Sequence, residues 1–176
     1  MTNYFLIYDD CCFYEIVLLG YFLKYSEQEI QNVKYCAAEN REIRTTEGFL
    51  VTPDVSFNDI PAEDVRALII PGGAIENVMS ESLNDFLSGL NREMTFLGAI
   101  CAGVTLLEQY GFLDGKNSIR TSDDLAVRDG MLITARPNGY VDFAVEMGKA
   151  LEIFRDEASI SETVEFFKYH QTMESC

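Results

Sequence analysis

The chain has 176 residues, 48% apolar and 24% charged, which suits one domain with a full hydrophobic core. With 13 basic and 29 acidic side chains the formal net charge is −16, which repels polyphosphate and anionic lipid, so nucleic acid and membranes are excluded as expected partners. Five cysteines form no even framework, and with no export signal or long apolar run the expected setting is cytoplasmic, with free thiols. Cys11 and Cys12 are adjacent, no CxxC spacing occurs and there is one histidine, so neither a metal nor another cofactor is expected.

In chain order, short apolar runs alternate with helical patterns, the mark of a parallel sheet covered by helices. Residues 4–8 read as a buried strand stopped by Asp9 and Asp10. Between residues 13 and 25, Ile16, Val17, Leu19, Phe22 and Leu23 recur at helical spacing. Residues 33–38 read as a second strand and 43–55 as a β-excursion turning at Glu47 and Gly48. The run from Ala67 to Ile70 is a core strand ended by Pro71, Gly72 and Gly73, and residues 80–90 are helical. Residues 96–100 form another strand that runs directly into a helix containing Val104 and Leu107. Residues 131–135 read as the last strand, and 139–154 as a helix capped by Asn138. Ser159 and Glu162 have capping-box spacing and predict a terminal helix. Residues 1–155 are thus read as one α/β domain, with 156–176 as a helix packed on it or extending it.

The segment Gly98-Ala99-Ile100-Cys101-Ala102-Gly103 carries the chemistry. A strand meets a helix with small residues two positions either side of Cys101, the logic of a nucleophile elbow with Cys in place of Ser. Such a turn lifts the side chain out at the carboxyl end of the sheet, where open α/β folds bind ligands. A helix N-terminus favours thiolate, so the Cys101 pKa is expected below the free value of about 8.5. The Ala102 N–H is a candidate oxyanion donor, and the backbone of Gly72 and Gly73 a second one. Burial as a small apolar side chain is the competing reading of any free cysteine, and it is the one applied to Cys11, Cys12, Cys36 and Cys176.

Residues 67–73, 98–103, 111–115 and the stretch from Leu132 to Ala144, taken in order, resemble the ThiJ/PfpI family of the class I glutamine amidotransferase-like superfamily. The resemblance runs from about residue 4 to residue 154. It implies a flavodoxin-like three-layer αβα sandwich with a mostly parallel sheet and a nucleophile elbow, Cys101 as nucleophile, and a homodimer. It also implies that Glu15 is a carboxyl partner, held protonated and hydrogen-bonded to the thiolate, as burial beside a thiolate would make it. Histidines that assist relatives have no counterpart: Ala102 follows the cysteine, residues 116–130 hold none, and His170 lies in the tail before Gln171 and Thr172. Protease and glutamine amidotransferase activities are therefore disfavoured.

Three functions remain open. The first is a hydratase-, hydrolase- or lyase-like enzyme in which Cys101 attacks a small electrophilic substrate and Glu15 manages protons. A redox or oxidative-stress protein that oxidises Cys101 is the second. A catalytically silent binding domain on the same fold is the third.

Overall fold

The computed structural model describes residues 1–26, 28–29 and 31–171. Cys176, Thr172 and the rest of the tail fall outside the described residues. Among the described residues nine strands form: β1 (Thr2–Leu6), β2 (Val33–Ala37), β3 (Ile43–Arg44), β4 (Leu50–Val51), β5 (Val55–Ser56), β6 (Val65–Ile70), β7 (Phe96–Ile100), β8 (Ala126–Asp129) and β9 (Leu132–Ala135). The same residues hold five α-helices: α1 (Tyr14–Lys24), α2 (Glu81–Gly89), α3 (Ala102–Gln109), α4 (Tyr140–Ala150) and α5 (Glu157–Phe167).

Seven strands make one sheet in the order β5-β2-β1-β6-β7-β9-β8, parallel throughout except for the β8–β9 pair. This is the flanked, mostly parallel sheet expected, and its central strands β1 and β6 are buried except at Arg66, as strands covered on both faces should be. The expected excursion is a separate hairpin of β3 and β4, while β5 leaves it to join the sheet edge.

Several boundaries differ from the sequence reading, each for a local reason. β1 starts two residues earlier because Thr2 and Asn3, though polar, are buried with their side chains hydrogen-bonded to Asp64 and to the Asn32 carbonyl. β8 was not anticipated: it is an edge strand with only Ala126 and Val127 apolar. Asn138 is not the cap of α4; Pro137 opens a 3-10 turn over Pro137–Gly139, and Gly139 takes the cap position with no side-chain bond. α4 ends at Ala150, where Glu152 turns the chain through φ 56°. The capping box of α5 pairs Asp156 with Ser159, three residues before the expected Ser159 and Glu162.

Phe154 and Phe167 pack on Phe22 of α1, with ring centroids 6.0 and 5.2 Å away. These C-terminal aromatics therefore cover the domain itself, while Phe166 and Tyr169 near them are exposed.

The strand order positions the site. β1, β6 and β7 are neighbours and parallel, so the segments leaving their carboxyl ends must meet. These are Tyr8 beyond β1, Pro71 to Gly73 beyond β6, and Cys101 beyond β7. Leu68 on β6 is wholly buried, so Leu68→Ala is expected to cost about 2–5 kcal/mol in denaturant unfolding.

Candidate active site

Cys101 occupies the junction of β7 and α3 with φ 58° and ψ −126°, a conformation that costs a non-glycine residue energy and survives only where its surroundings enforce it. Two hydrogen bonds do so: its N–H donates to the Ala135 carbonyl at 3.0 Å, and its carbonyl accepts from Val104 N–H at 3.2 Å. The small neighbour is a steric requirement. A Cβ on Gly103 would stand 2.4 Å from the Ile70 carbonyl oxygen.

Gly72 is the hub of the site. A Cβ there would lie 2.6 Å from Cys101 Cβ and 2.7 Å from Cys101 Sγ, so only glycine lets the β6 loop pass the nucleophile. Its N–H donates to Glu15 Oε2 at 2.7 Å. Its carbonyl accepts from Cys12 N–H at 2.9 Å and from the Tyr8 hydroxyl at 2.8 Å. Tyr8 also reaches the Pro71 carbonyl at 2.9 Å. The structure thus brings Cys101, Glu15, Gly72 and Ala102 together, and commits the Gly72 N–H to Glu15. Of the expected oxyanion donors, this leaves the N–H groups of Gly73 and Ala102.

Glu15 is 1% exposed. Burial pushes its carboxyl up, against the lowering influence of the Gly72 N–H and the Cys101 thiol, while Glu47 adds to the rise. Its second oxygen, Oε1, is buried and has no hydrogen-bond partner among the described residues.

Cys101 is half-buried. Burial, and then the Glu15 charge, push its thiol up to about 11, and the Ala102 N–H opposes them. The expected acidification does not hold while Glu15 is ionised. A desolvated sulfur beside a buried acid outweighs the backbone dipoles at the start of α3.

The other cysteines divide. Cys11 and Cys36 are fully buried, as expected for packing residues. Cys12 is half-exposed, 4.0 Å from Thr46 Oγ1, and sits beside the Glu15–Cys101 pair. His170 is exposed beyond α5.

Sequence reasoning missed Tyr8 and Glu47. Glu47 Oε1 accepts from Tyr14 N–H at 2.9 Å and its Oε2 from Phe13 N–H at 3.3 Å, capping the helix that carries Glu15. A signal for it existed: no Ser, Thr, Asp or Asn stands at the start of α1, so its unpaired N–H groups needed an acceptor from elsewhere. The wide surface grooves lie away from the sulfur, one of about 650 Å³ between α1 and β2 and one of about 470 Å³ beside α4 and α5.

Two outcomes follow from this geometry. Gly72→Ala is expected to cost about 1–3 kcal/mol in chemical denaturation and to block alkylation of Cys101, because the added methyl overlaps the sulfur. The second concerns pH. Buried Cys11 releases its proton at about 11 when folded against 9.0 when free, so the unfolded chain ionises first as pH rises. The stability it contributes is then fully present below about pH 9 and declines from there toward pH 11. Urea midpoints measured from pH 8 to 11 test this, and Cys11→Ala should flatten the decline.

Comparison with known proteins agrees with this architecture. The DJ-1/PfpI family matches residues 1–150. The glutathione-independent glyoxalase DJR-1.2 of Caenorhabditis elegans is 22% identical over 136 residues, 68% of this chain and 73% of that protein. The uncharacterised protease YoaZ of Bacillus subtilis is 28% identical over 155 residues, 74% of this chain and 72% of that protein. A 91-residue match at 30% identity to the Pseudomonas aeruginosa transcriptional regulator GbdR spans 51% of this chain but only 24% of the regulator. Among solved structures, a DJ-1 superfamily protein of Agrobacterium tumefaciens superposes with a TM-score of 0.80 at 24% identity, covering 97% of this chain and 100% of that one. Family match, seven-strand sheet and elbow cysteine agree: the chain belongs to the DJ-1/PfpI family.

Proposed function

We propose that this protein is a cysteine-dependent enzyme acting on small electrophilic carbon compounds such as reactive aldehydes, by hydration or hydrolysis and without a histidine. The observation that carries the reading is the Glu15 carboxyl, buried with an unpartnered oxygen and set against the elbow cysteine. Two acids this close lose their protons as a pair. An ionised Glu15 forces Cys101 to stay a thiol and leaves a buried carboxylate charge offset only by the Gly72 N–H and that thiol. Moving one proton onto Glu15 removes both penalties and turns the carboxyl into a donor for the thiolate.

The Cys101 thiolate adds to the electrophilic carbon, the C=O electron pair moves to oxygen, and Glu15 delivers its proton there. The N–H groups of Ala102 and Gly73 are the donors available to the developing oxyanion. Water next displaces the sulfur, and Glu15 takes back the proton that water gives up. The glyoxalase among the relatives supports a carbonyl substrate, and the separation of the sulfur from the wide grooves supports a small one.

A homodimer, implied by the family resemblance, has a candidate face in Tyr14, Val17, Tyr21 and Tyr25, exposed along one side of the α1 segment next to Glu15. Oxidation of Cys101 in stress response is the second reading. It is favoured by the same carboxyl, which would donate to a sulfinate. Mild hydroperoxide followed by peptide mass analysis separates it: selective oxidation of Cys101 without turnover of any carbonyl supports the redox role over the enzyme.

For the enzyme, Cys101→Ala is expected to abolish turnover of small aldehydes while Cys36→Ala retains it; equal rates in both variants contradict the proposal. Glu15→Gln separates proton transfer from thiol activation. A neutral amide in place of a neutral acid leaves the charge on sulfur, so iodoacetamide alkylation of Cys101 at pH 7 should stay within about threefold of the unmutated chain. Turnover should fall by about a hundredfold or more, because the amide carries no proton to the substrate.

A further inference from the structure

The helix that carries Glu15 begins without a cap of its own. Phe13 stands at the cap position in helical geometry, and its side chain bonds nothing there. The missing acceptor comes from the loop joining β3 to β4, a hairpin outside the main sheet. There Glu47 presents one oxygen to Phe13 N–H and the other to Tyr14 N–H, one residue before Glu15. The hairpin is itself tied to the site loop: Thr46 N–H donates to the Cys11 carbonyl at 3.0 Å, and the Thr46 hydroxyl to the Asp10 carbonyl at 2.7 Å.

We infer that Glu47 is a positioning residue for Glu15: its carboxylate fixes the first turn of α1, and its charge holds the shared proton of the Glu15–Cys101 pair on the carboxyl. The inference rests on the proposed function and names what maintains its reactive state.

Titratable groups face Glu15 from every side. Cys101 does so from the start of α3, Cys12 from the preceding loop, Tyr8 from beyond β1, Tyr14 from α1, and Glu47 from the hairpin. None of these is a cation. Burial pushes Glu47 up, but the N–H groups of Tyr14 and Phe13 and the Thr45 side chain outweigh it and hold its carboxyl below the ordinary value. Glu47 is therefore charged at neutral pH, and its charge opposes ionisation of Glu15. Because Glu47 is exposed, solvent screens it, so its effect is one of tuning.

The experiment is the pH profile of Cys101 alkylation by iodoacetamide, followed by peptide mass analysis, in the full chain and in Glu47→Gln, Glu47→Asp, Glu15→Gln and the Glu47→Gln/Glu15→Gln double variant. Glu47→Gln keeps an acceptor for Tyr14 N–H and loses the charge. Its profile midpoint is expected to move to higher pH by about 0.5, the scale of a screened surface charge, because the proton returns to sulfur once Glu15 ionises more readily. Glu47→Asp, which retains the charge and perturbs folding less, should keep the midpoint of the unmutated chain. In the Glu15→Gln background the effect of Glu47→Gln should vanish. An unchanged midpoint in Glu47→Gln, an equal change in Glu47→Asp, or an equal change without Glu15 overturns the inference and leaves a reactive Cys101 standing. A Cys101 that resists alkylation across the whole range in the unmutated chain overturns both the inference and the proposed function.

Discussion

The close passage of Gly72 against Cys101 is the constraint on which the site depends. One residue there does three things. Its N–H holds Glu15, its carbonyl is gripped by Cys12 and Tyr8, and its bare Cα lets the β6 loop lie against the sulfur. The polar contacts all reach the chain that follows β1 and the bare Cα faces the elbow after β7, so the glycine ties the ends of β1, β6 and β7 into one geometry. The strain of Cys101 at φ 58° is sustained by the same packing, through the Ala135 and Val104 backbone bonds and the close approach of Gly103 to β6.

Electrostatics then decides what this geometry can do. Burial raises both Glu15 and Cys101, and each charge penalises the other, so neither group considered alone describes the site. Two features favour the proton on the carboxyl. The Ala102 N–H at the start of α3 stabilises sulfur charge, and Glu47 disfavours carboxylate charge from the hairpin. A polar pair tuned in this way needs no third titratable side chain, which fits a chain with a single histidine exposed beyond α5.

The fold was legible because parallel strands buried on both faces read as unbroken apolar runs, as in residues 67–70 and 96–100. The elbow was legible because close packing demands small residues at fixed offsets from Cys101. What escaped was of two kinds. The edge strand β8 and the start of β1 carry polar residues whose partners are distant in sequence, such as Asp64 for Thr2. Acidification of Cys101 was expected from the helix start alone, whereas desolvation and the neighbouring acid depend on three-dimensional packing that no spacing reveals. Glu47 read as a turn residue because its role lies 33 residues away, at the Tyr14 N–H.

The central claim is that the site carries its negative charge on sulfur and its proton on Glu15. Infrared difference spectroscopy at neutral pH, comparing the protein before and after alkylation of Cys101 and repeated with Glu15→Gln, measures this directly. The account predicts a protonated-carboxyl stretch that is perturbed when the sulfur is alkylated and is missing in Glu15→Gln. A carboxylate signature for Glu15, together with an S–H stretch from Cys101, would contradict it.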